Sequence, residues 1–474
     1  MSTLTSRSLA LLVEGWRATA PGAAYVALAD RIRLLILDGR IALGTRLPAE
    51  RELAASLTVS RTTVTAAYTQ LREAGYLHSV RGSGSVARLP RVPRSEVSAV
   101  GALIDLSKAT LPALPTLGET AALAAEQLPA YLSGSGFDPV GLPVLRQALA
   151  DRYSARGLAT SPDQIMVTLG AQHAISLIAR TLLSRGDRAL VEAPSYPHAF
   201  EALRHAGARL VPVSVSTGDG WDERMLADTI QRTSPSLGYL MPDFHNPTGQ
   251  SMPAEMRERV LALAERHGTT LIADETIGEL NIDRAESLLP FAAYTSGTPP
   301  ILVGSVGKTV WGGVRIGWIR AERSVIHRLV RARSAGDLGT PLLEQLLVTE
   351  LLRDYDSILE LRRQQLLAGR NHLTALLAEH LPEWEVPTVN GGITLWVNLG
   401  QPVSSRLTLA ARNEGLQIAA GPLFGLDGAF ERFLRIPFSY APADTEQAVT
   451  ALARAWGAIG RYPIAEGHPL SAVV

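Results

Sequence analysis

The stretch ILVGSVGK at residues 301–308 decides the fold of the larger part of this chain. A short apolar run ends there in a polar turn and a lysine. The stretch TLIAD at residues 270–274 repeats the pattern and ends in an aspartate. Buried parallel strands have this apolar character, and α/β sheets place ligands at the carboxyl ends of their strands. Both stretches therefore predict strands that bring a polar side chain to one edge of a sheet.

Further apolar runs alternate with longer helical patterns from about residue 104 onward. These runs lie at residues 164–169, 189–192 and 237–241. Such alternation predicts an α/β domain in which helices flank a mostly parallel sheet. We assign this domain to residues 104–474.

Length and composition restrict the class of protein. A chain of 474 residues that is 46% hydrophobic is long enough for two or three packed domains. It has no cysteine, which excludes disulfides, thiolate nucleophiles and cysteine-based zinc sites, and we expect no metal site. No apolar run approaches the length of a membrane span, so we expect a cytoplasmic protein without a membrane partner.

The N-terminal part is basic, although the formal net charge of the whole chain is +0. Residues 20–88 hold nine arginines and five carboxylates, and we predict that they form a separate domain. We predict an N-terminal helix within residues 1–19. The prolines and charges of residues 89–103 predict an extended linker.

The basic part has the pattern of a winged helix-turn-helix. Apolar residues recur with a helical period over residues 25–39, and Pro48 and Ser60 mark the starts of two further helices. Two short apolar runs then flank a glycine-containing turn at residues 81–84, which predicts a hairpin wing. In such a frame the second helix of the pair enters the major groove of DNA, led by its N-terminal residues.

This pattern predicts a DNA interface on the second and third helices and the wing. The predicted contact residues are Arg46, Glu50, Arg51, Ser60, Arg61, Thr62, Thr63, Arg81 and Gly82. The alternative is a small helical protein-binding module whose charges only face solvent. The capped turn, the polar start of the third helix and the basic tip of the wing together favour double-stranded operator DNA. The runs GTRLPAERELA at residues 44–54 and VSRTTV at residues 59–64 resemble the signature of the GntR family of bacterial regulators.

Lysine occurs only twice in the chain, as Lys108 and Lys308. Only lysine supplies an amine for a Schiff base. A lone lysine is ordinarily a solvated surface charge, but the surroundings of Lys308 supply what pyridoxal 5′-phosphate requires. Asp274 is placed to pair with the pyridinium nitrogen of that cofactor. Its phosphate requires the amides of a helix N-terminus, a hydroxyl and a guanidinium, and the candidates are Gly170, Ala171, Gln172, Ser305 and Arg315.

Three more residues complete the predicted site. Tyr196 follows an apolar run and would stack on the cofactor ring, while Asn246 would donate to its O3′ oxygen. Arg435 could hold the carboxylate of an incoming effector in a bidentate fork.

Together these motifs resemble the fold-type I aminotransferases. They are NPTG at residues 246–249, an aspartate that closes an apolar strand, and Ser-x-x-Lys at residues 305–308 with an arginine seven positions on. The resemblance covers about residues 104–460 and implies that Lys308 is the Schiff-base lysine. Relatives usually carry a tyrosine shortly after the aspartate. Here Thr276 lies in that region and would donate only one weak bond.

The combination of both parts resembles the MocR subfamily of GntR regulators. The resemblance implies a head-to-tail homodimer that senses pyridoxal phosphate or an amine or amino-acid effector. It also implies control of genes for vitamin B6 or amine and amino-acid metabolism. The alternative is a pyridoxal-phosphate-dependent aminotransferase with an appended DNA-binding domain. A phenol is missing near Asp274, and Phe137 replaces another that relatives often carry, so we expect sensing rather than turnover.

Overall fold

A computed structural model of the chain describes residues 3–14, 16, 23–37, 39–80, 84–88, 104–286, 288–295 and 297–460. The chain divides into two units. Unit 1 comprises Met1–Asp105, Val403–Pro422 and Ala448–Val474, and unit 2 comprises Leu106–Pro402 and Leu423–Gln447. The predicted linker at residues 89–103 and the wing residues Arg81 and Gly82 lie outside the described residues. The domain boundaries given above stay predictions.

The described residues form fifteen α-helices and fifteen β-strands. In chain order they are α1 (Ser6–Leu12), α2 (Ala24–Leu37), α3 (Glu50–Leu57), α4 (Arg61–Glu73), β1 (Leu77–Val80), β2 (Gly84–Ala87), β3 (Ile104–Asp105), α5 (Leu117–Gln127), α6 (Pro143–Ala155), β4 (Ile165–Thr168), α7 (Ala171–Leu182), β5 (Arg188–Ala193), α8 (Pro197–His205), β6 (Arg209–Ser216), β7 (Gly220–Trp221), α9 (Glu223–Thr233), β8 (Leu237–Leu240), α10 (Ala254–Arg266), β9 (Thr270–Asp274), β10 (Ile301–Ser305), β11 (Gly317–Arg320), α11 (Arg323–Arg333), α12 (Leu342–Leu351), α13 (Tyr355–His380), β12 (Thr394–Asn398), α14 (Ser404–Asn413), β13 (Leu416–Gln417), β14 (Ala419–Ala420), β15 (Phe433–Pro437) and α15 (Pro442–Gly460). None of the described helices combines the length and the apolarity needed to cross a membrane.

Unit 1 contains the predicted helix-turn-helix, formed by α3 and α4. The side chains of Leu28, Leu53 and Val64 are fully buried in one apolar cluster that joins α2, α3 and α4. Each such side chain stabilises the fold by about 1.5–3 kcal/mol relative to exposure to water. Strands β1 and β2 pair antiparallel, with Val80 opposite Gly84, and form the base of the hairpin.

Unit 2 is built on an eight-stranded sheet with the order β4-β11-β10-β9-β8-β5-β6-β7. Four neighbouring pairs are parallel: β10 with β9, β9 with β8, β8 with β5, and β5 with β6. Strand β11 pairs antiparallel with both β10 and β4, and β7 pairs antiparallel with β6. The structure therefore confirms the predicted α/β domain with a mostly parallel sheet.

The central strands are apolar because little of their surface faces water. All four residues of β8 and all four of β11 are buried, as expected for strands covered on both faces. Gly304 of β10 lies opposite Trp318 of β11. A Cβ atom at Gly304 would lie 2.3 Å from the indole ring, so this pair of strands requires glycine.

The parallel strands end at one edge of the sheet, and this edge positions the site. Predicted site residues lie at or just after the carboxyl ends of β5, β8, β9 and β10, and of β4, which runs in the same direction as β10. These residues are Gly170 after β4, Tyr196 after β5, Asn246 after β8, Asp274 at the end of β9, and Lys308 after β10.

Candidate functional site

A cavity of about 350 Å³ in unit 2 brings the predicted site residues together. Those that line it are Ala171, Gln172, Tyr196, Asn246, Asp274, Thr276, Ser305, Lys308, Arg315 and Arg435. Gly170 caps α7 beside them. Other lining residues were not predicted, above all the consecutive residues 107–110. The structure thus places the predicted residues around one space, and their individual roles stay predictions.

Asp274 is the acidic group of the cavity and is 3% exposed. Its Oδ2 accepts a hydrogen bond from the Tyr239 hydroxyl at 2.7 Å, and its Oδ1 accepts one from the Thr276 amide at 3.0 Å. Burial raises the pKa of Asp274, while the bonds from Thr276 and Tyr239 oppose that rise. Sequence reasoning missed Tyr239, because a tyrosine within an apolar strand has the ordinary appearance of a core residue.

Lys308 is half-buried at the cavity wall. Its Nζ donates a hydrogen bond to the carbonyl oxygen of Ala109 at 2.6 Å. Burial, followed by the positive charge of Arg435, lowers the pKa of Lys308 to about 8, and the charge of Asp274 opposes the effect. A larger share of this amine is therefore neutral near pH 7 than for an ordinary lysine, as nucleophilic lysines require.

Arg435 lies on β15 and is 8% exposed. Its Nη2 donates to the carbonyl oxygen of Ser107, and its guanidinium lies 4.7 Å from the centre of the Phe424 ring. Burial lowers the pKa of Arg435 to about 10, and the guanidinium still carries its charge at neutral pH. A buried cation beside a cavity can bind a carboxylate.

The N-terminus of α7 and Arg315 form a cradle suited to an anion. Gly170 caps the helix with φ +81°, and Arg315 Nη2 donates to the Leu169 carbonyl at 2.8 Å. A Cβ atom at Gly170 would lie 3.0 Å from Arg315 Nη2. Ser305 Oγ accepts a bond from the Gly307 amide at 3.0 Å. Free helix amides and a guanidinium together attract phosphate groups.

Tyr196 and Asn246 lie on loops that follow β5 and β8. The ring of Tyr196 makes an edge contact with His198, with 5.3 Å between the ring centres. Burial and the charge of Asp274 raise the pKa of Tyr196 to about 12, so its hydroxyl stays protonated. It can therefore present a neutral aromatic face to a planar ligand.

The polar groups of this cavity fit pyridoxal phosphate. Among the described side chains, Asn246 Oδ1, Gln172 Oε1 and Arg435 Nε are buried and have no hydrogen-bond partner within the protein. An unpaired buried polar group costs about 1–3 kcal/mol, and Arg435 Nε could relieve its cost by donating to an anionic ligand, whereas the two amide oxygens would each need a donor. The cavity also combines one primary amine, one buried carboxylate and an anion cradle, the set that this cofactor requires. In the part of the chain that the structure describes, no cluster of acidic residues and histidines is arranged to hold a metal ion.

The consecutive residues Ser107, Lys108, Ala109 and Thr110 form what we name the rim segment. Their carbonyl oxygens accept hydrogen bonds from Arg435, Tyr440, Lys308 and Ser439 respectively. Sequence reasoning missed this segment because it contributes through its backbone. The one available signal was that it contains the other lysine of the chain.

In unit 1, α4 presents a polar face in the predicted manner. Ser60 Oγ accepts a bond from the Thr63 amide at 3.1 Å and so caps the helix. Arg61 and Thr62 are exposed, as are Arg46 and Arg51. An open groove of about 830 Å³ runs along this face, and Arg61, Thr62, Thr65 and Thr69 line it. A row of short polar side chains and a guanidinium suits contacts with bases and phosphates.

Glu50 makes bonds within unit 1. Its Oε2 accepts a hydrogen bond from Thr65 Oγ1 at 2.7 Å, and its Oε1 lies 3.5 Å from Arg72 Nη2. Glu50 thus connects α3 to α4 through both of its carboxylate oxygens. Its predicted role in DNA binding stays a prediction.

The chain matches two known families. Residues 121–452 match the family described as aminotransferase class I and II. Residues 24–86 match the family described as bacterial regulatory proteins, gntR family.

Individual relatives combine the same two parts. The chain is 30% identical over 428 residues to the probable rhizopine catabolism regulatory protein MocR of Rhizobium meliloti. The alignment covers 82% of this chain and 83% of that protein. It is 28% identical over 461 residues to the uncharacterized HTH-type transcriptional regulator YdcR of Escherichia coli, with 91% and 98% covered.

A solved structure shares the fold of the larger part. It is LysN, the α-aminoadipate aminotransferase of Thermus thermophilus, complexed with N-(5′-phosphopyridoxyl)-L-leucine. The TM-score is 0.70 at 26% identity, over 78% of this chain and 96% of that one. The chain therefore belongs to the aminotransferase class I and II family and, because it also carries a gntR-type domain, is a transcription regulator of the MocR type.

Proposed function

We propose that this regulator holds pyridoxal phosphate in the unit 2 cavity and changes its DNA binding when the cavity is filled. One observation carries the proposal: nine residues that the sequence predicts for this cofactor, together with Arg435, line a single cavity. Residues from five separate strand ends would not be expected to converge in this way in a degenerate domain.

Each residue has a chemical task in this proposal. Lys308 would offer its amine, Asp274 would accept from the pyridinium N–H, and Asn246 and Thr276 would donate to the O3′ oxygen. The phosphate would be held by Gly170, Ala171, Gln172, Ser305 and Arg315, and Tyr196 would stack on the ring. When bound, the cofactor supplies an aldehyde that condenses reversibly with primary amines. An effector with an amine and a carboxylate would place the carboxylate on Arg435.

The rim segment provides a link between ligand binding and the DNA-binding part. Arg435 and Lys308 donate to the carbonyl oxygens of Ser107 and Ala109. A ligand that binds these two cations competes with those bonds and would loosen the rim segment, which then keeps its bonds from Tyr440 and Ser439. In sequence, only residues 104–106 separate the rim segment from residues 89–103, the predicted linker that follows the DNA-binding domain. Ligand binding can shift a two-state equilibrium only through such a difference in contacts.

DNA binding is assigned to α4 and its flanking cations. Ser60, Arg61, Thr62 and Thr63 would face the major groove, and Arg46, Arg51, Arg81 and Gly82 would contact the backbone or the minor groove. We propose a head-to-tail homodimer, which would present two such helices to paired half-sites of an operator. The regulated genes would serve vitamin B6 or amine and amino-acid metabolism in the cytoplasm.

Fluorescence anisotropy with DNA from the region upstream of the gene tests the proposal. Full-length protein would be titrated with and without pyridoxal phosphate, beside the Lys308→Ala and Arg61→Ala variants. We expect pyridoxal phosphate to change the DNA affinity of the wild type and to leave that of Lys308→Ala unchanged. Arg61→Ala should weaken DNA binding with or without the cofactor, by about 1–3 kcal/mol if the guanidinium reads a base. An equal response of wild type and Lys308→Ala would refute the proposed sensing.

A second candidate function is transamination, which is favoured by the presence of Lys308 and Asp274 at one cavity. A neutral fraction of the Lys308 amine beside Asp274 suits proton transfer as well as sensing. The purified protein would be incubated with amino donors and a keto acid. Turnover at ordinary enzyme rates, about 1 per second or faster, would establish an enzyme. Absence of keto product, with intact cofactor binding, would support sensing.

A further inference from the structure

His173 lies in the first turn of α7, directly after three residues of the phosphate cradle. Gly170, Ala171 and Gln172 have a task in the proposed function, whereas His173 has none. The side chain of His173 is 16% exposed, and it is not among the described residues that line the cavity. It can therefore act on a bound ligand only through the groups that it contacts.

Both ring nitrogens of His173 have partners. Nδ1 accepts a hydrogen bond from the Leu169 amide at 3.1 Å. Nε2 lies 3.0 Å from Oδ2 of Asp337. Because a backbone N–H can only donate, Nδ1 carries no proton, and the ring proton lies on Nε2, where it donates to Asp337. The contacts thus select one neutral tautomer of the ring.

Asp337 is held in turn by a buried cation. Its Oδ1 accepts a hydrogen bond from Arg333 Nε at 2.7 Å. The Arg333 side chain is fully buried, and its Nη1 also donates to the carbonyl oxygen of Val167 in β4 at 2.7 Å. These bonds connect β4 through Arg333 to Asp337, and Asp337 orients the His173 ring.

Leu169 is the residue through which His173 reaches the cradle. Its amide donates to His173, and its carbonyl oxygen accepts from Arg315 Nη2 at 2.8 Å. It directly precedes Gly170, which caps α7 with φ +81°. The two bonds hold the peptide groups on either side of Leu169, and so they set the positions of Gly170 and Arg315.

We propose that His173 is a positioning residue for the phosphate cradle and that it acts only while its ring is neutral. Protonation places a hydrogen on Nδ1, which then can no longer accept from the Leu169 amide. The cradle should therefore be intact at alkaline pH and loosen as the pH falls. This inference rests on the proposed function, because it takes the cradle as the place where the cofactor phosphate binds.

The surroundings of His173 favour the neutral ring. Burial lowers the pKa of His173, and the charge of Asp337 opposes this effect. The positive charges of Arg333, on α11, and Arg180, on α7 itself, lower the pKa further. Arg315 bonds to the same loop from the other side. Since the ordinary histidine pKa is about 6.5, the ring is neutral at about pH 8 and gains its second proton only in acid.

The test compares pyridoxal 5′-phosphate with pyridoxal, which carries the same aldehyde but no phosphate. Absorbance titrations of the full-length protein give both affinities, and their ratio isolates the contribution of the phosphate. At about pH 8, His173→Phe should lower this ratio by about fivefold, the equivalent of roughly 1 kcal/mol for one hydrogen bond. His173→Asn should keep the ratio, because its amide oxygen can accept from the Leu169 amide and does not titrate.

The same titrations at about pH 5.5 test the dependence on protonation. The wild-type ratio should fall by up to about fivefold relative to that of His173→Asn, since the ionisation of the phosphate itself is common to both proteins. His205→Phe removes an exposed histidine that does not line the cavity and should behave as the wild type does. A wild-type ratio that stays equal to that of His173→Asn, or rises above it, would overturn the role of the neutral ring.

Hydrogen–deuterium exchange of the cofactor-free protein separates this inference from the proposed function. At about pH 8, the peptide that contains Leu169 should exchange faster in His173→Phe than in wild type, and at the wild-type rate in His173→Asn. If neither ligand binds to any of the proteins, the proposed function fails, and the exchange rates still decide whether His173 holds the loop. If both ligands bind but His173→Phe keeps the wild-type ratio, the inference is wrong and the proposed function stands.

Discussion

The hydrogen bond from Tyr239 to Asp274 gives the sharpest prediction about the site. Both side chains are buried, and their oxygens lie 2.7 Å apart. Tyr239→Phe removes the hydroxyl and leaves the ring in place. A hydrogen bond to a charged group contributes about 1.5–3 kcal/mol, so we expect a loss of about 2 kcal/mol in the free energy of unfolding where Asp274 is ionised.

This loss should depend on pH. The pKa of Asp274 is already raised by burial, so its contribution to stability is present at low pH and is lost as the pH rises through that pKa. Without Tyr239 the pKa rises further, because the ionised form loses a donor. The destabilisation caused by Tyr239→Phe should therefore be larger at about pH 8 than at about pH 5.

Cofactor affinity should show the opposite trend. A protonated Asp274 cannot accept from the pyridinium N–H. The variant holds a larger protonated share at the lower pH, so its affinity for pyridoxal phosphate should fall most there. The affinity for pyridoxal phosphate can fall by at most about tenfold for each unit by which the pKa of Asp274 rises.

Urea unfolding and absorbance titration at the two pH values measure both effects. Tyr355→Phe is the matched control, because it removes a buried bond between two hydroxyls, Tyr355 and Thr309, at 2.5 Å. It should cost about 1 kcal/mol at either pH and leave cofactor affinity unchanged. Equal, pH-independent losses in the two variants would show that Tyr239 does not act through the charge of Asp274.

Three further predictions follow from other groups. Burial raises the pKa of Glu275 to about 7, so the folded protein loses stability as the pH rises from the ordinary glutamate pKa through that value. Glu275→Gln cannot ionise and should remove up to about 3 kcal/mol of this pH-dependent loss. Urea unfolding between about pH 5 and about pH 8 would measure it. An unchanged slope of stability against pH would contradict the assignment. Gly170→Ala should strain the backbone and displace Arg315 from the phosphate cradle, and so lower the affinity for the cofactor. The control is Gly186→Ala. Gly186 has a similar φ, +94°, but a Cβ atom there would meet no atom within 4 Å, so this variant should lose stability alone. Equal cofactor affinities in the two glycine variants would argue against the cradle. Ser60→Ala should lower the stability of unit 1 by about 1 kcal/mol through loss of the α4 cap and weaken DNA binding, as thermal unfolding and anisotropy would show; an unchanged melting temperature would count against the cap.

The site was largely predictable because its residues follow strands with a clear pattern. Apolar runs that end in Asp274 or precede Lys308 define parallel strands, and parallel strands deliver their carboxyl ends to one edge. The start of α4 was predictable for a similar reason, since Ser60 has both the residue type and the position of a helix cap.

The rest depends on contacts between distant parts of the chain. The rim segment interacts through backbone carbonyls, which carry no residue-type signal, and Ala109 lies far from Lys308 in sequence. Strand order could not be predicted either. Strand β11 lies antiparallel between β4 and β10, and no local sequence pattern specifies that position. The role of Tyr239 depended on the pairing of β8 with β9, which sets it beside Asp274.

The most direct test of this account is to locate the covalent attachment of pyridoxal phosphate. Full-length protein would be mixed with the cofactor, reduced with borohydride, digested and analysed by mass spectrometry. We predict a phosphopyridoxyl group on the peptide that contains Lys308 and none on the peptide that contains Lys108. Modification of Lys108 instead, or of neither lysine, would contradict the account.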